Sequence, residues 1–282
     1  MLSQAERDDL NQQYMPRLAV PNADDYLERA AARSAAARSR LGGLIDVAFG
    51  DTPGQTLDIF PAAHDKAPVH VFVHGGYWRA LDKSFYSEMA EPLVAAGATV
   101  VLTNYDLCPA VRVTEIVAQT RRAIGWVHAN IGRHGGDAAR IHISGHSAGA
   151  HLVAMLLATD WPALELPSNV IKSATAISGL YDLRRHRDTD VQAEIHLSED
   201  ETTTLSPLLL PPKAHCPVLV GVGGGETDLF QWQSLAYAAH LRFNRVPADV
   251  MQLGQDNHFD VTERLANAAD PLTAALIAGL AR

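Results

Sequence analysis

Short apolar runs alternate with longer amphipathic segments along most of this chain. Residues 69–74 and 99–103 are almost continuously apolar and have the length of buried strands. Residues 113–131 place apolar side chains at helical spacing and predict a helix. Apolar strands separated by helices predict a parallel sheet that is covered on both faces. The predicted strands are residues 56–60, 69–74, 99–103, 141–144, 170–177, 217–222 and 248–253.

Two parts of the chain depart from this alternation. Residues 1–45 are rich in Ala, Arg, Asp and Gln, and residues 24–40 predict a surface helix, with a disordered arm as the alternative. Residues 181–212 are first charged and then rich in Leu and Pro. An insertion at that position would lie above the strand ends and cap a site there. The prediction is one domain over residues 1–282 with a helical N-terminal arm and a cap insertion at 181–212.

Composition narrows the class of protein. The chain has 282 residues and a net charge of -9, which argues against binding to nucleic acid or to an anionic membrane. Two cysteines, Cys108 and Cys216, are too few for a disulfide framework, and the polar N-terminus does not resemble a signal peptide. We therefore expect a cytoplasmic protein with a small-molecule substrate. The sequence leaves the oligomeric state open.

The most specific motif is Gly-His-Ser-Ala-Gly at residues 145–149. It follows a predicted strand and precedes an apolar helical segment, which is the context of a nucleophile elbow. Glycines fit the tight turn, which lifts the hydroxyl of Ser147 clear of the backbone. Ser147 is therefore the predicted nucleophile.

A serine nucleophile needs a base, and the base needs an acid to orient it. On a parallel sheet these partners follow the serine in the order acid and then histidine, each after a strand. His258 follows the last predicted strand and is the predicted base. The preceding strand leads to Glu226 and Asp228, and either acid satisfies this order. We prefer Glu226 as the catalytic acid and Asp228 as the cap of the next helix.

The negative charge on the attacked carbonyl oxygen needs preorganised N–H donors. The predicted donors are the backbone amides of Ala148, Gly75 and Gly76, the glycines lying directly after a predicted central strand. His142, His146 and His151 lack other ligands at metal spacing and are interpreted as structural, so neither a metal nor an organic cofactor is expected.

Together these motifs resemble the arylformamidases (kynurenine formamidases), a branch of the α/β-hydrolases near the hormone-sensitive-lipase-like esterases. The resemblance implies an α/β-hydrolase fold, with a mostly parallel central sheet, helices on both faces and a small cap. It places the family nucleophile on Ser147, the histidine on His258 and the acid, four residues before Phe230, on Glu226, where animal members commonly have aspartate. The matching segments are residues 13–14, 55–60, 74–78, 104–109, 145–152, 178–183, 205–207, 226–234 and 257–259.

The resemblance implies hydrolysis of an aryl formamide such as N-formylkynurenine through an acyl-enzyme. Tyr77, Trp78 and Tyr181 are then the candidates for an aromatic wall around the leaving group. A carboxylesterase or amidase with the same triad is the alternative, because residues 184–201 match no family pattern. A ligand-binding protein without turnover is a third hypothesis, but a binding module would have no need of the complete triad.

Overall fold

Eight strands form one sheet in the computed structural model, which describes residues 2–282. Their spatial order is β1-β2-β4-β3-β5-β6-β7-β8. The pairs β1–β2 and β2–β4 are antiparallel and all the others are parallel, which confirms the mostly parallel sheet. The strands are β1 Leu44–Ala48, β2 Thr56–Phe60, β3 Ala67–Val73, β4 Thr99–Thr103, β5 Gly136–His146, β6 Ile171–Ile177, β7 Val218–Gly223 and β8 Ala248–Leu253.

The central strands are buried on both faces, as their continuous apolar runs predict. Every residue of β3 and β4 is buried. Alternate residues of β4 enter different cores, because Val101 packs in one apolar cluster while Val100 and Leu102 pack in the other. The other strands, the helices on each side of the sheet and connecting segments supply the rest of these two clusters.

The helices follow the predicted alternation and extend it at the N-terminus. No helix within residues 2–282 is both long enough and apolar enough to cross a membrane. The helices are α1 Gln4–Tyr14, α2 Pro16–Ala19, α3 Ala23–Leu41, α4 Ala90–Ala95, α5 Val113–Asn130, α6 Ala148–Leu157, α7 Gln192–Ile195, α8 Glu199–Thr204, α9 Asp228–Phe243, α10 Asp260–Glu263 and α11 Pro271–Gly279.

The N-terminal arm is helical, as predicted, and its third helix is anchored at both ends. Near its start, the hydroxyl of Tyr26 donates to Asp260 at 2.6 Å. Near its end, the guanidinium of Arg38 donates to the hydroxyl of Ser87 at 2.9 Å. The helix α3 therefore connects the 3₁₀ segment Lys83–Met89 with the start of α10.

Two elements differ from the sequence pattern. Between β3 and β4 the sequence predicts a helix over residues 87–96, but the chain forms the 3₁₀ segment Lys83–Met89 and becomes α-helical only from Ala90. Strand β1 has no sequence signature, since most of its residues are exposed. It forms because the open edge of β2 supplies backbone partners, and pairing with an edge requires little burial.

Candidate active site

Ser147 lies on a strained turn between β5 and α6. Its φ is 57°, in the left-handed region, and its N–H donates to the carbonyl of Ile177 at 2.9 Å. The flanking glycines are required for steric reasons. A Cβ at Gly145 would meet the carbonyl oxygen of Gly149, and one at Gly149 would meet that of Val73. The turn therefore has the form of a nucleophile elbow, with a small cavity in front of its serine.

Glu226 and His258 form a buried pair at the ends of β7 and β8. Oε2 of Glu226 lies 2.6 Å from Nδ1 of His258. A carboxylate only accepts hydrogen bonds, so Nδ1 carries the proton and donates it. This tautomer leaves Nε2 with a free lone pair, which is the state that a general base needs. His258 and Ser147 line the same cavity.

The second oxygen of Glu226 is also held. Oε1 accepts from the hydroxyl of Ser178 at 2.5 Å and from the N–H of Gly223 at 2.8 Å. Ser178 had no assigned role in the sequence analysis, although it follows β6, the neighbour of β7. Because neighbouring parallel strands end at the same edge of the sheet, the position of Ser178 after β6 could have indicated that it lies near Glu226. The carboxylate is thus fixed at both oxygens.

Asp228 does not have the role predicted for it. It is the first residue of α9 rather than the cap, its side chain is exposed, and the N-cap position belongs to Thr227. The hydroxyl of Thr227 donates to the carbonyl of Gln13 instead of capping the helix, and the side-chain oxygen of Gln13 accepts from the N–H of Leu229 at 3.2 Å. Asp228 makes no bond to His258, whereas Glu226 does. The geometry therefore favours Glu226 between the two acids.

The loop that carries two of the predicted oxyanion donors, Gly75 and Gly76, runs close to Ser147. A Cβ at Gly75 would lie 3.2 Å from the Cβ of Ser147, so this loop passes directly beside the serine. Within residues 2–282, the backbone N–H groups of Gly76 and Ala148 donate to no protein acceptor. The hydroxyl of Tyr105 donates to the carbonyl of His74 at 2.9 Å and fixes the start of the loop. Free amides on a fixed loop suit an anionic oxygen.

The cavity in front of Ser147 has a volume of about 120 Å³ and is bounded by the N-terminal arm. Tyr26 and Leu27 of α3 line it together with Phe259, and the rings of Tyr26 and Phe259 stack at 5.7 Å. Tyr86 of the 3₁₀ segment lines it as well. Burial raises the pKa of Tyr86 to about 12, while the nearby N–H of Gly75 lowers it, so the hydroxyl is neutral at ordinary pH.

The predicted aromatic wall is only partly right. Tyr77 lines the cavity, and its hydroxyl donates to the carbonyl of Tyr14 at 2.9 Å. Trp78 and Tyr181 do not line it, because both side chains are fully buried in the core. Trp78 packs edge-on against His151, and Tyr181 stacks on Tyr237 at 4.1 Å. Aromatic residues near a motif more often serve the core than the substrate.

The insertion at residues 181–212 contributes no side chain to this cavity, contrary to the predicted cap. Its apolar residues turn inward instead, and Leu183, Val191 and Ile195 are buried in the main core. Gln233 of α9 anchors its start by accepting from two backbone amides, those of Tyr181 and Asp182. The N-terminal arm takes the covering position. Sequence had no signal for this, because residues far apart along the chain meet there.

The histidines near Ser147 differ in environment. His142 lies 2.8 Å from the hydroxyl of Ser173, and Nε2 of His151 donates to the carbonyl of Leu205 at 2.8 Å, as structural residues do. His146 instead lines the cavity, 4.5 Å from the ring of His258. Burial and the neighbouring His258 hold the pKa of His146 well below its usual range. Within residues 2–282 no cluster of three or more His, Cys, Asp or Glu side chains suits a metal ion.

Comparisons with known proteins identify relatives of this chain. The BD-FAE family model matches residues 57–194. The kynurenine formamidase of Danio rerio is 31% identical over 96% of this chain and 95% of its own length. That of Salmo salar is 31% identical over 86% of this chain and 83% of its own.

Solved structures repeat the fold. A protein from Silicibacter sp. tm1040, described as a candidate thioesterase, superposes with a TM-score of 0.85 and 30% identity, covering 97% of this chain and 99% of its own. An esterase from Pyrobaculum calidifontis gives a TM-score of 0.71 at 18% identity, covering 99% of this chain and 98% of its own, which shows the fold alone. The chain is a hydrolase with an α/β-hydrolase fold.

Proposed function

The chain belongs to the kynurenine formamidase family, and we propose that it hydrolyses an aryl formamide such as N-formylkynurenine through a serine acyl-enzyme. The observation that carries the proposal is the hydrogen bond of 2.6 Å between His258 and Glu226. His258 also lines the same cavity as Ser147. Free amides of Gly76 and Ala148 lie beside that serine. These are the parts that acyl transfer needs.

In the proposed mechanism the hydroxyl oxygen of Ser147 attacks the formyl carbon while Nε2 of His258 accepts the hydroxyl proton. Glu226 holds the imidazole and stabilises its positive charge. The amides of Gly76 and Ala148 receive the negative oxygen. His258 then gives its proton to the nitrogen of the departing arylamine as the C–N bond breaks.

The second half of the reaction uses the same groups. A water molecule loses a proton to His258 and attacks the formyl carbon of the acyl-enzyme. Collapse of this intermediate breaks the ester bond to Ser147, which regains its proton, and releases formate. Within the proposal the only partner is this small-molecule substrate, and the location is cytoplasmic. The two buried thiols, Cys108 and Cys216, are unpaired and so support a reducing compartment.

The second candidate is a carboxylesterase with the same residues. Its support is a similarity to Esterase LipC of Mycobacterium tuberculosis, 34% identical over 48% of this chain and 35% of that protein. An ester differs from a formamide mainly in its leaving group. An alkoxide or phenoxide leaves with less help from proton donation by His258 than an arylamine does. The two candidates therefore differ in the substrate and not in the catalytic residues.

The deciding experiment compares steady-state hydrolysis of N-formylkynurenine and p-nitrophenyl acetate. Ser147→Ala should abolish both activities, whereas Ser168→Ala, at an exposed loop position, is the matched control. A clearly higher kcat/KM for the formamide supports the proposal. Ser147-dependent cleavage of the ester alone would transfer the assignment to the carboxylesterase, and activity that survives in Ser147→Ala would refute the mechanism.

A further inference from the structure

The charged side chains that line the catalytic cavity from outside the triad are cationic. Arg17 and Arg79 line it, and no Asp or Glu does among residues 2–282. The chain as a whole has a net charge of -9. The charge lining the cavity is thus opposite in sign to that of the molecule. A cleft lined by one sign of charge concentrates ligands of the other sign.

Arg79 is placed by the same turn that carries the oxyanion loop. The backbone amides of Arg79 and Ala80 donate to the carbonyl of Gly76 at 3.1 and 3.0 Å. Within that turn, Tyr77 and Trp78 have φ values of 56° and 57°, so this turn has a specific and strained geometry. Arg79 therefore keeps a set position relative to the free amide of Gly76.

The guanidinium of Arg79 is not fully used by the protein. One nitrogen donates to Glu194 at 2.7 Å, while Nε is buried and has no partner within residues 2–282. A guanidinium presents a planar fork of N–H donors, which matches a carboxylate. Arg17 is less suited, because it and its partner Asp24 are both more than half exposed, so solvent screens their charges.

We propose that Arg79 binds a carboxylate on the leaving-group side of the substrate. The enzyme would then select acyl substrates whose leaving group carries a carboxylate. The proposal rests on the proposed function for the identity of the acyl bond. N-formylkynurenine carries such a carboxylate on its amino-acid side chain. Arg79 is then a specificity residue that acts on binding, and its loss should raise KM more than it lowers kcat.

The test compares an anionic and a neutral substrate, 4-formamidobenzoate and formanilide. The ratio of their kcat/KM values should fall by about 10- to 100-fold in Arg79→Gln, the effect of one hydrogen bond to a charged group. Comparing this ratio between the variant and the wild type cancels the difference in intrinsic reactivity of the two substrates. Arg133→Gln is the matched control, because this exposed residue precedes β5 at the opposite edge of the sheet and its loss changes the net charge equally.

A second variant tests the same contact in the opposite direction. Glu194 competes with a substrate carboxylate for the guanidinium of Arg79. Glu194→Gln should therefore lower KM for 4-formamidobenzoate and leave KM for formanilide less affected. Added salt should reduce the anionic preference of the wild type, since ions screen charges that solvent can reach.

The outcomes separate this inference from the proposed function. If Arg79→Gln lowers kcat/KM equally for both substrates, or if Glu194→Gln weakens the anionic preference, the inference is refuted while formamide hydrolysis stands. If the wild type cleaves neither of these formamides nor N-formylkynurenine, the proposed function fails. The same ratio measured with 4-acetoxybenzoate and phenyl acetate then decides the role of Arg79.

Discussion

Replacing Glu226 with glutamine changes a single atom and tests the acid directly. Oε1 of Glu226 accepts from the N–H of Gly223, which can only donate. The carbonyl oxygen of a glutamine must therefore stay on that side. Its NH₂ group then faces Nδ1 of His258, at the position where Oε2 lies 2.6 Å away in the wild type.

This orientation forces the wrong tautomer on His258. An NH₂ donor requires Nδ1 to accept, so the ring proton moves to Nε2, the atom that must take the proton of Ser147. A wrong tautomer in a serine triad lowers kcat by about 10⁴-fold, or about 5 kcal/mol of activation free energy. Reversing the amide would place its NH₂ against the N–H of Gly223, at a cost of about 1–3 kcal/mol for the unmet donor.

The assay is steady-state hydrolysis of N-formylkynurenine or p-nitrophenyl acetate by Glu226→Gln, with Asp228→Asn as the matched control. We expect a fall in kcat of about 10³- to 10⁴-fold for the first and near wild-type activity for the second, because Asp228 is exposed. Thermal unfolding should show that both variants fold. Equal losses in the two variants, or a loss under tenfold in Glu226→Gln, would refute the assignment of the acid.

Three further predictions follow from the contacts around the site and from the core. Ser178→Ala removes one of the two donors to Oε1 of Glu226 and should lower kcat by about 3- to 30-fold. KM should change little, because Gly223 still holds the carboxylate. An unchanged kcat would show that Ser178 does not position the carboxylate. Gly149→Ala should abolish folding or lower Tm steeply, since its Cβ would meet the carbonyl of Val73. Gly125→Ala in α5 should be neutral or stabilising by about 0.5–1 kcal/mol, because its Cβ would make only an ordinary contact of 3.7 Å with Leu166, and equal Tm values in the two variants would contradict the elbow geometry. Burial lowers the pKa of His70 to about 3 and those of His142 and His151 to about 4, below the ordinary value of 6.5 that applies in the unfolded chain. Stability that is full above about pH 6.5 should therefore be lost toward pH 4 by roughly 1 kcal/mol per histidine per pH unit. Urea unfolding at pH 7.5 and 5.5 measures this loss, and a stability that does not change between them would contradict the proposed neutral, buried state of these histidines.

The strands and the order of the catalytic candidates along the chain could be predicted, because local sequence controls both. The apolar runs give β3 and β4, and the glycines at 145 and 149 specify the turn that carries Ser147. Chain order then points to an acid after β7 and a histidine after β8. Each of these inferences depends on residues a few positions apart, and over that range the sequence indicates the hydrophobic period and the turn geometry.

The environment of the cavity could not be predicted in the same way. Tyr26 lies more than 200 positions from Phe259 in the sequence, yet the two rings stack in the cavity wall. Trp78 and Tyr181 lie in segments that match the family pattern, but both side chains turn into the core. Whether an aromatic ring faces a substrate or the core depends on which helix packs over it, and no local pattern contains that information.

The sequence by itself therefore determined the parallel sheet, the nucleophile candidate and the order of its partners, since hydrophobic period and backbone sterics act locally. Only the tertiary structure showed that Glu226 rather than Asp228 contacts His258, brought Ser178 to the carboxylate, and placed the N-terminal arm over the cavity instead of residues 181–212. These outcomes depend on contacts between distant segments. Burial and hydrogen bonding select such contacts among many that the same local preferences allow.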